Sequence, residues 1–436
     1  MKRNNSEIRD DVIGAEGLLL TALIQLLQES VVGFLKAGLN LRRGYKQYET
    51  LWREVQECGG LETSLIDRHT LSGVAFGLGT INVVLSALPT KILRLVSVFG
   101  YVGDRELGFD MLNACLDKGA LLSPLALMLM IFFYAALTPF APEVLEPIYG
   151  EKADKYIAYA LEHYPDSPLY GVLVARHARQ QRDLEKAVRD LTRISDVPWA
   201  EHERFKSTPL ALKAWEALYH LCSYELGMTE LYRLNFAQAA EHYRKLAEVR
   251  YWSQITCRYL QAVCMEAAGD AEGADLAYSQ IKEISVRKYS GRVISSDQYV
   301  LRKVKMRDED RRRGRDSWRG ALEVLVIWNG HTCMRREQLE RCRDWAEEAL
   351  KTAKGDDRGV TLWISGCILK ELGELDKAEK RLHQAVRSKM HHDTLVGPFA
   401  RYEQGVVAWL RGDKETAKKH WNKAQAESHD YNFEFR

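Results

Sequence analysis

The chain is predicted to be all-α, a solenoid of stacked helical-hairpin repeats with an apolar helical N-terminal half. Three observations carry this. Long segments rich in Ala, Leu, Glu, Lys and Arg run with only 10 prolines in 436 residues, a composition that favours helix. A small–bulky–small spacing recurs five times beyond Ile157. No charged residue falls between Leu71 and Thr90 or between Gly119 and Pro142, so those stretches belong in a core or in lipid.

The elements follow in order. Ala15–Phe34 carries Leu18, Leu19, Ala22, Leu23, Leu26 and Leu27 on one helical face. Leu41–Val55 repeats Leu41, Tyr45, Tyr48, Leu51, Trp52 and Val55 at threes and fours, and Gly59-Gly60 ends it. The two read as an antiparallel hairpin. Gly73, Gly77 and Gly79 lie on or near one face of a helix from Leu71, where missing side chains admit a second backbone. Pro89 ends that helix and suits the first turn of the next, Thr90–Phe99. Asp104 is expected to cap a helix to Lys118, with Gly119 as its stop. Leu125–Leu137 is apolar on every side. It is long enough to raise a membrane span, but Pro124 and Pro139 shorten it and no basic cluster flanks it, which favours a buried core.

The repeat reads as Ala, a bulky residue four later, and a small or apolar one three after that. Ala187/Leu191/Ile194, Ala239/Tyr243/Leu246, Ala274/Tyr278/Ile281, Ala378/Leu382/Ala385 and Ala417/Trp421/Ala424 fit. Gly269-Asp270, Gly373-Glu374 and Gly412-Asp413 precede three of them, and a small residue lies about a dozen positions earlier at Gly227, Ala262, Gly366 and Gly405. Small residues let the second helix of a hairpin approach the first, the bulky one fills the groove, and the glycine lets the chain reverse. Paired helices about 34 residues apart are the tetratricopeptide pattern, and the spacings 239 to 274 and 378 to 417 agree. Segments 1–145, 146–206, 207–290, 291–356 and 357–436 are expected: apolar region, first repeat with connector, two repeats, an irregular helical pair (near Ser317–Trp328 and Arg336–Lys351) and two C-terminal repeats.

Signs of chemistry are weak. A net charge of +2 gives no global pull toward nucleic acid. The eight cysteines form no CxxC pair and read as buried reduced thiols. The opening MKRNNSEIRDD does not resemble a secretory or transit leader. His391-His392-Asp393 reads as a solvated loop, Glu201-His202-Glu203 is not HExxH, and Cys257 with Cys264 cannot close a metal site alone. Gly77-Leu78-Gly79 lacks the third glycine of a dinucleotide fingerprint, and neither GxxxxGK[ST] nor GxSxG occurs. The mixed charge run Arg302–Arg319 reads as a solvated helix end and loop. No catalytic residue, metal or cofactor is expected. A solenoid's concave wall is the natural binding surface, and Tyr224, Tyr259, Trp363, Tyr402 and Trp409 are expected to face into it as partner anchors or to pack between repeats. The carboxylate clamp for chaperone tails is not expected, because Trp363 and Cys367 occupy two of its positions.

Several stretches resemble the tetratricopeptide-repeat 39 family, which includes the fungal Iml2-type inclusion-body-clearance proteins. They are VVGFLKAGLNLRRGYKQYE (31–49), GVAFGLGTINVVLSALPTKILRLVSVFGYVGDRELG (73–108), KYSGRVISSDQYVLRK (288–303), LEVLVIWNG (322–330) and HDYNFEFR (429–436). Gly73, Gly77, Pro89, Gly100, Gly103, Asp104, Arg105, Trp328, Asn329 and Gly330 are the structural signature residues within them. The resemblance implies a non-enzymatic intracellular adaptor that binds other proteins, with some relatives tied to lipid droplets, sterol homeostasis and inclusion clearance. The alternative is a membrane- or lipid-droplet-associated protein held through residues 71–137. Both place it in the cytoplasm, the second at a droplet or organelle surface. Relatives usually carry more helices ahead of Ala15, so an uncapped front or a short isoform is expected; without the fungal insertions, the chain is closer to the compact animal type.

Overall fold

The computed structural model describes residues 3–26, 31–87, 103–136, 138–196, 209–286, 288–289, 292–312 and 320–427. These are overwhelmingly helical, with two-residue strands at Lys288–Tyr289 and Arg292–Val293. Two compact units form. The first holds Met1–Tyr134, Lys152–His163 and Tyr289–Arg292, the second Ala135–Glu151, Tyr164–Lys288 and Val293–Arg436.

In the first unit, α1 (Asn5–Leu26) and α2 (Val31–Glu57) form the antiparallel hairpin, packed on α3 (Arg68–Ala87). Helix α4 (Arg105–Asp117) lies on α3, and α5 (Ser123–Ile131) on α4. The hairpin reverses between Leu26 and Val31, so the expected helices at Ala15–Phe34 and Leu41–Val55 are corrected. Leu20, Leu23, Ile24, Val32, Leu35 and Leu39 around the reversal are exposed. Of the expected face on α1, Ala22 is buried and Leu19 and Leu26 pack on the core, whereas Leu23 is exposed and Leu27 lies outside the described residues.

Helix α3 is the core of this unit. Leu71, Val74, Leu78, Ile81 and Leu85 are buried. Its length and composition would allow it to cross a membrane, but 72% of its apolar window is buried in protein. The small residues explain the close packing. A Cβ on Gly73 would sit 2.6 Å from Val12, and one on Gly77 would enter the ring of buried Tyr48. Gly79 and Gly108 form the α3–α4 crossing, where a Cβ on Gly79 would be 2.9 Å from the Gly108 carbonyl. A Cβ on Gly103 would strike Asn82 O and Ser86 N, each at 2.6 Å. Asp104 caps α4, accepting from Leu107 N, while its own amide donates to Asn82 Oδ1 at 3.0 Å. Arg105 Nη2 donates to Ser86 O at 3.2 Å and its guanidinium lies over Phe133. Gly119 ends the helix with φ of +56°. Pro89, Gly100 and the Thr90–Phe99 helix lie outside the described residues.

Helix α6 (Pro142–His163) is divided between the units after Glu151. The second unit stacks hairpins: α7 (Pro168–Gln180) with α8 (Leu184–Ser195), α9 (Pro209–Tyr232) with α10 (Phe236–Glu248), and α11 (Gln254–Ala267) with α12 (Ala271–Glu283). After α13 (Ser295–Arg312), α14 (Gly320–Ile327) and α15 (Arg336–Thr352) come α16 (Asp356–Glu371) with α17 (Leu375–Arg387) and α18 (Val396–Leu410) with α19 (Lys414–Glu427). The repeat logic holds at the atomic level. A Cβ on Gly227 would lie 3.0 Å from the Tyr243 ring, one on Gly366 would lie 2.6 Å from Leu382, and one on Gly405 would enter the Trp421 indole. Gly269, Gly373 and Gly412 take φ of +88°, +79° and +82° at the reversals. Arg182 (φ +60°) and Leu234 (φ +62°) take the same left-handed turn in the first two hairpins without a glycine. Neighbouring contacts hold them in a conformation that costs about 1 kcal/mol or more for such residues.

Asp67 ties α1 to α3. Its carboxylate accepts from Asn5 Nδ2 (2.5 Å), Arg9 Nη2 (2.7 Å) and Thr70 Oγ1 (2.6 Å). Burial alone would raise its proton affinity, but these bonds outweigh it and hold the carboxyl well below the usual range. A folded-state pKa below the unfolded value stabilises above about pH 4, and that stabilisation is lost as pH falls toward the folded value. Thermal melts from pH 7 to pH 2 should therefore show Asp67→Asn less stable than wild type at neutral pH, with the gap closing below about pH 4. Gly77→Ala should cost about 1–3 kcal/mol in denaturant unfolding, because Tyr48 has no free space to move into.

Candidate functional site

The inner wall of the second unit is filled rather than open. Helix α14, sequence GALEVLVI, is buried from Ala321 to Ile327. It packs on the first helices of three hairpins, α9, α11 and α16, and the one-turn helix Gly330–Cys333 that follows packs on α7, α9 and α16. Apart from Glu323, the octapeptide is apolar and has no solvent-compatible face, so it lies against the first helices of the repeats. Asn329 makes the bend with φ of +59°, and its Nδ2 donates to Pro139 O at 2.7 Å. A Cβ on Gly330 would enter the ring of buried Tyr232. Trp328 packs half-buried against the same core.

This changes the expected groove. Trp363 is fully buried, edge-on to Phe399 at 5.7 Å. Tyr259 is buried between Tyr278 and Tyr299, each at 6.1 Å. Tyr224 is half-buried beside Tyr243 and Tyr251. These three pack repeats together, and the first two have no surface left for a partner. Tyr402 and Trp409 are half-buried on the last hairpin. The Tyr402 hydroxyl donates to Phe140 O at 3.3 Å, and Trp409 stands 5.9 Å from Trp421. For Trp363 and Tyr259 the structure thus favours the second expectation, packing between repeats; repeat spacing cannot report a segment inserted between repeats. The signal was present in LEVLVI, which is too apolar to be a surface helix.

Closing the wall forces its charges to pair. Arg179 donates to Glu225 at 2.7 Å, and Arg176 stands 3.7 Å away. Burial would raise the Glu225 pKa, yet the two guanidinium groups bring it below the carboxylate norm. Lys303 bridges Glu323 (2.6 Å) and Asp393 (2.7 Å). Burial alone would lower the Lys303 pKa, but the two carboxylates raise it. Arg307 holds Asp275 at 2.7 Å and Glu266 at 3.0 Å, over the Tyr278 ring. Part of the Arg302–Arg319 run is thus internal, correcting the solvated reading for Arg302, Lys303 and Arg307; residues 313–319 lie outside the described residues. In the His391-His392-Asp393 loop the two histidines are exposed, as a solvated loop requires, and the expectation is corrected only at Asp393. The three loop amides donate to the Asp356 carboxylate at 3.0, 2.6 and 3.2 Å, and Asp393 is buried. Glu201-His202-Glu203 and HDYNFEFR lie outside the described residues.

The densest cluster surrounds Lys370. Its ammonium meets Glu403 at 2.9 Å, Glu371 at 3.2 Å and Glu143, and Arg182 bonds Glu371 at 2.6 Å. Burial lowers and the carboxylates more strongly raise the lysine pKa, so the ammonium stays charged. Burial raises the Glu371 pKa despite both cations. His331, Cys367 and Glu403 bring an imidazole, a thiol and a carboxylate within 4.8 Å of one another, all buried. Such a set could hold a divalent ion, but the ammonium against Glu403 opposes a second positive charge there. All eight cysteines are free and seven are buried. Burial pushes Cys115 up to about 11 and Cys222, Cys257 and Cys342 up to about 12, so these stay protonated at neutral pH.

Stacked hairpins with small-residue crossings define a tetratricopeptide-like helical repeat protein, a class that generally mediates protein interactions. Residues 2–372 match the family model described as Iml2/Tetratricopeptide repeat protein 39, and the chain belongs to that family. The matched span includes both the α3–α4 block and the plug helix α14, so the filled interior lies within what the family model covers.

Lys370→Met should leave buried Glu403 and the partly buried Glu143 and Glu371 short of their common cation. Denaturant unfolding should show a loss of about 3–5 kcal/mol.

Proposed function

We propose that this protein is a non-enzymatic adaptor that holds partner proteins on the outer and terminal surfaces of its repeats. The observation that carries the reading is the interior filled by α14, with its acids and bases paired to one another. Groups already committed to ion pairs are not poised to move protons on a substrate. Family membership supports the same reading, since repeats of this class generally bind proteins. Partners then meet what remains accessible. The last hairpin offers Leu410, Trp409 and Trp421, an apolar and aromatic set of the kind that anchors partners.

Attachment to a membrane or lipid droplet through residues 71–137 draws less support, because α3 is buried in its own unit. A cytoplasmic location fits the adaptor reading. Affinity capture with the full-length chain and with Trp409→Ala/Leu410→Ser tests it. The substituted chain should lose its reproducible partners about fivefold or more, and equal recovery would remove the last hairpin from the reading. Carbonate extraction should release the protein into the soluble fraction.

A further inference from the structure

Among the described residues, six exposed large aliphatic side chains flank the reversal of the α1–α2 hairpin. Leu20, Leu23, Ile24, Val32, Leu35 and Leu39 are between 45% and 62% exposed. They fall within two or three turns of the point where the hairpin turns back. The two helices run antiparallel in a fixed register: Asn40 Nδ2 donates to Gln25 Oε1 at 3.0 Å, and Gln47 Nε2 donates to Asp11 O at 2.9 Å. Gly44 faces Ala15, Leu18 and Leu19 in the same pairing, so Leu20–Ile24 stand level with the stretch of α2 from about Leu35 to Arg43, and Val32 lies beyond them toward the reversal.

Charge changes sharply along the same pair. Between Glu16 and Glu49 the sequence holds one acid, Glu29, against Lys36, Arg42, Arg43 and Lys46. All four basic residues are exposed. On α2 the exposed stripe is aliphatic at Val32, Leu35 and Leu39, then basic at Arg42, Arg43 and Lys46. On α2 the aliphatic stripe thus has a positive collar one to two turns behind it, and the aliphatic positions of α1 lie beside both.

We propose that the reversal end of the α1–α2 hairpin docks on an anionic phospholipid surface. The aliphatic end enters the boundary between headgroups and acyl chains, and the collar meets the phosphates and carboxylates of the headgroups. Helical backbone suits that step, because its amides and carbonyls are already bonded. The composition favours lipid over protein. The end is Leu, Ile and Val, whereas protein anchor sites concentrate Trp, Tyr and Arg in their centre. A second copy of the chain would present the same positive collar and no acidic complement. The proposal is independent of the adaptor reading, which concerns other surfaces, and it places lipid contact away from residues 71–137.

The test is flotation of the full-length protein with phosphatidylcholine vesicles, with and without phosphatidylserine. Wild type should float with the anionic vesicles, and the bound fraction should fall as salt rises. Leu20→Gln/Leu23→Gln/Leu35→Gln should lose about tenfold of that fraction. Arg42→Gln/Arg43→Gln/Lys46→Gln should bind both vesicle types equally and weakly. Leu65→Gln, an exposed position elsewhere in the unit, should behave as wild type. All the altered side chains are exposed, so unchanged melting temperatures establish intact folds. Should the leucine variant fail to fold, the collar variant decides alone. Absence of wild-type binding to anionic vesicles would overturn the proposal. So would unchanged binding by a folded leucine variant, retained phosphatidylserine dependence in the collar variant, or a wild-type dimer in solution that the leucine variant converts to monomer.

Discussion

Burial of the seven residues Ala321–Ile327 is the constraint on which the second unit depends. Each Leu, Val or Ile side chain fully removed from water contributes about 1.5–3 kcal/mol, and α14 buries Leu322, Val324, Leu325, Val326 and Ile327 together. It gains this by touching the first helices of several hairpins at once. Repeat arrays ordinarily hold together through nearest neighbours alone. Here a central strut adds contacts between hairpins that are distant in sequence.

The strut also explains the polar interior. Removing water from the inner wall exposes any charge there to a large desolvation penalty unless it finds a partner. The networks around Arg179, Lys303 and Lys370 meet that requirement, each with two or more partners. A whole buried cluster of lysine and carboxylates adds little net stability over apolar residues of the same volume, but it penalises every arrangement in which the partners fail to meet. The networks therefore fix how the hairpins align more than how strongly they cohere. Both proposed contacts, the aromatic residues of the last hairpin and the aliphatic end of the first, therefore lie on outer surfaces.

Much of this was legible in the sequence, residue by residue. The Ala–bulky–small triads predicted which side chains fill each hairpin, and the structure buries Leu191, Tyr243, Tyr278 and Leu382 as that pattern requires. Asp104 and Gly119 marked a helix start and stop correctly because capping is local chemistry. The first two hairpins were harder to read. Their turns place Arg182 and Leu234 in the left-handed region, and neither residue type announces such a turn. The five aromatic positions shared a register, but register cannot distinguish a wall facing water from one facing another helix.

Helical class, hairpin pairing and the small-residue crossings were thus determined by sequence alone, because spacing and side-chain size act within a few turns of the chain. Tertiary structure alone decided that the channel is filled, that Trp363 and Tyr259 face inward onto protein, and that Arg302, Lys303 and Arg307 are internal. Those outcomes rest on which distant segments come together, and burial belongs to the assembled neighbourhood rather than to any one residue.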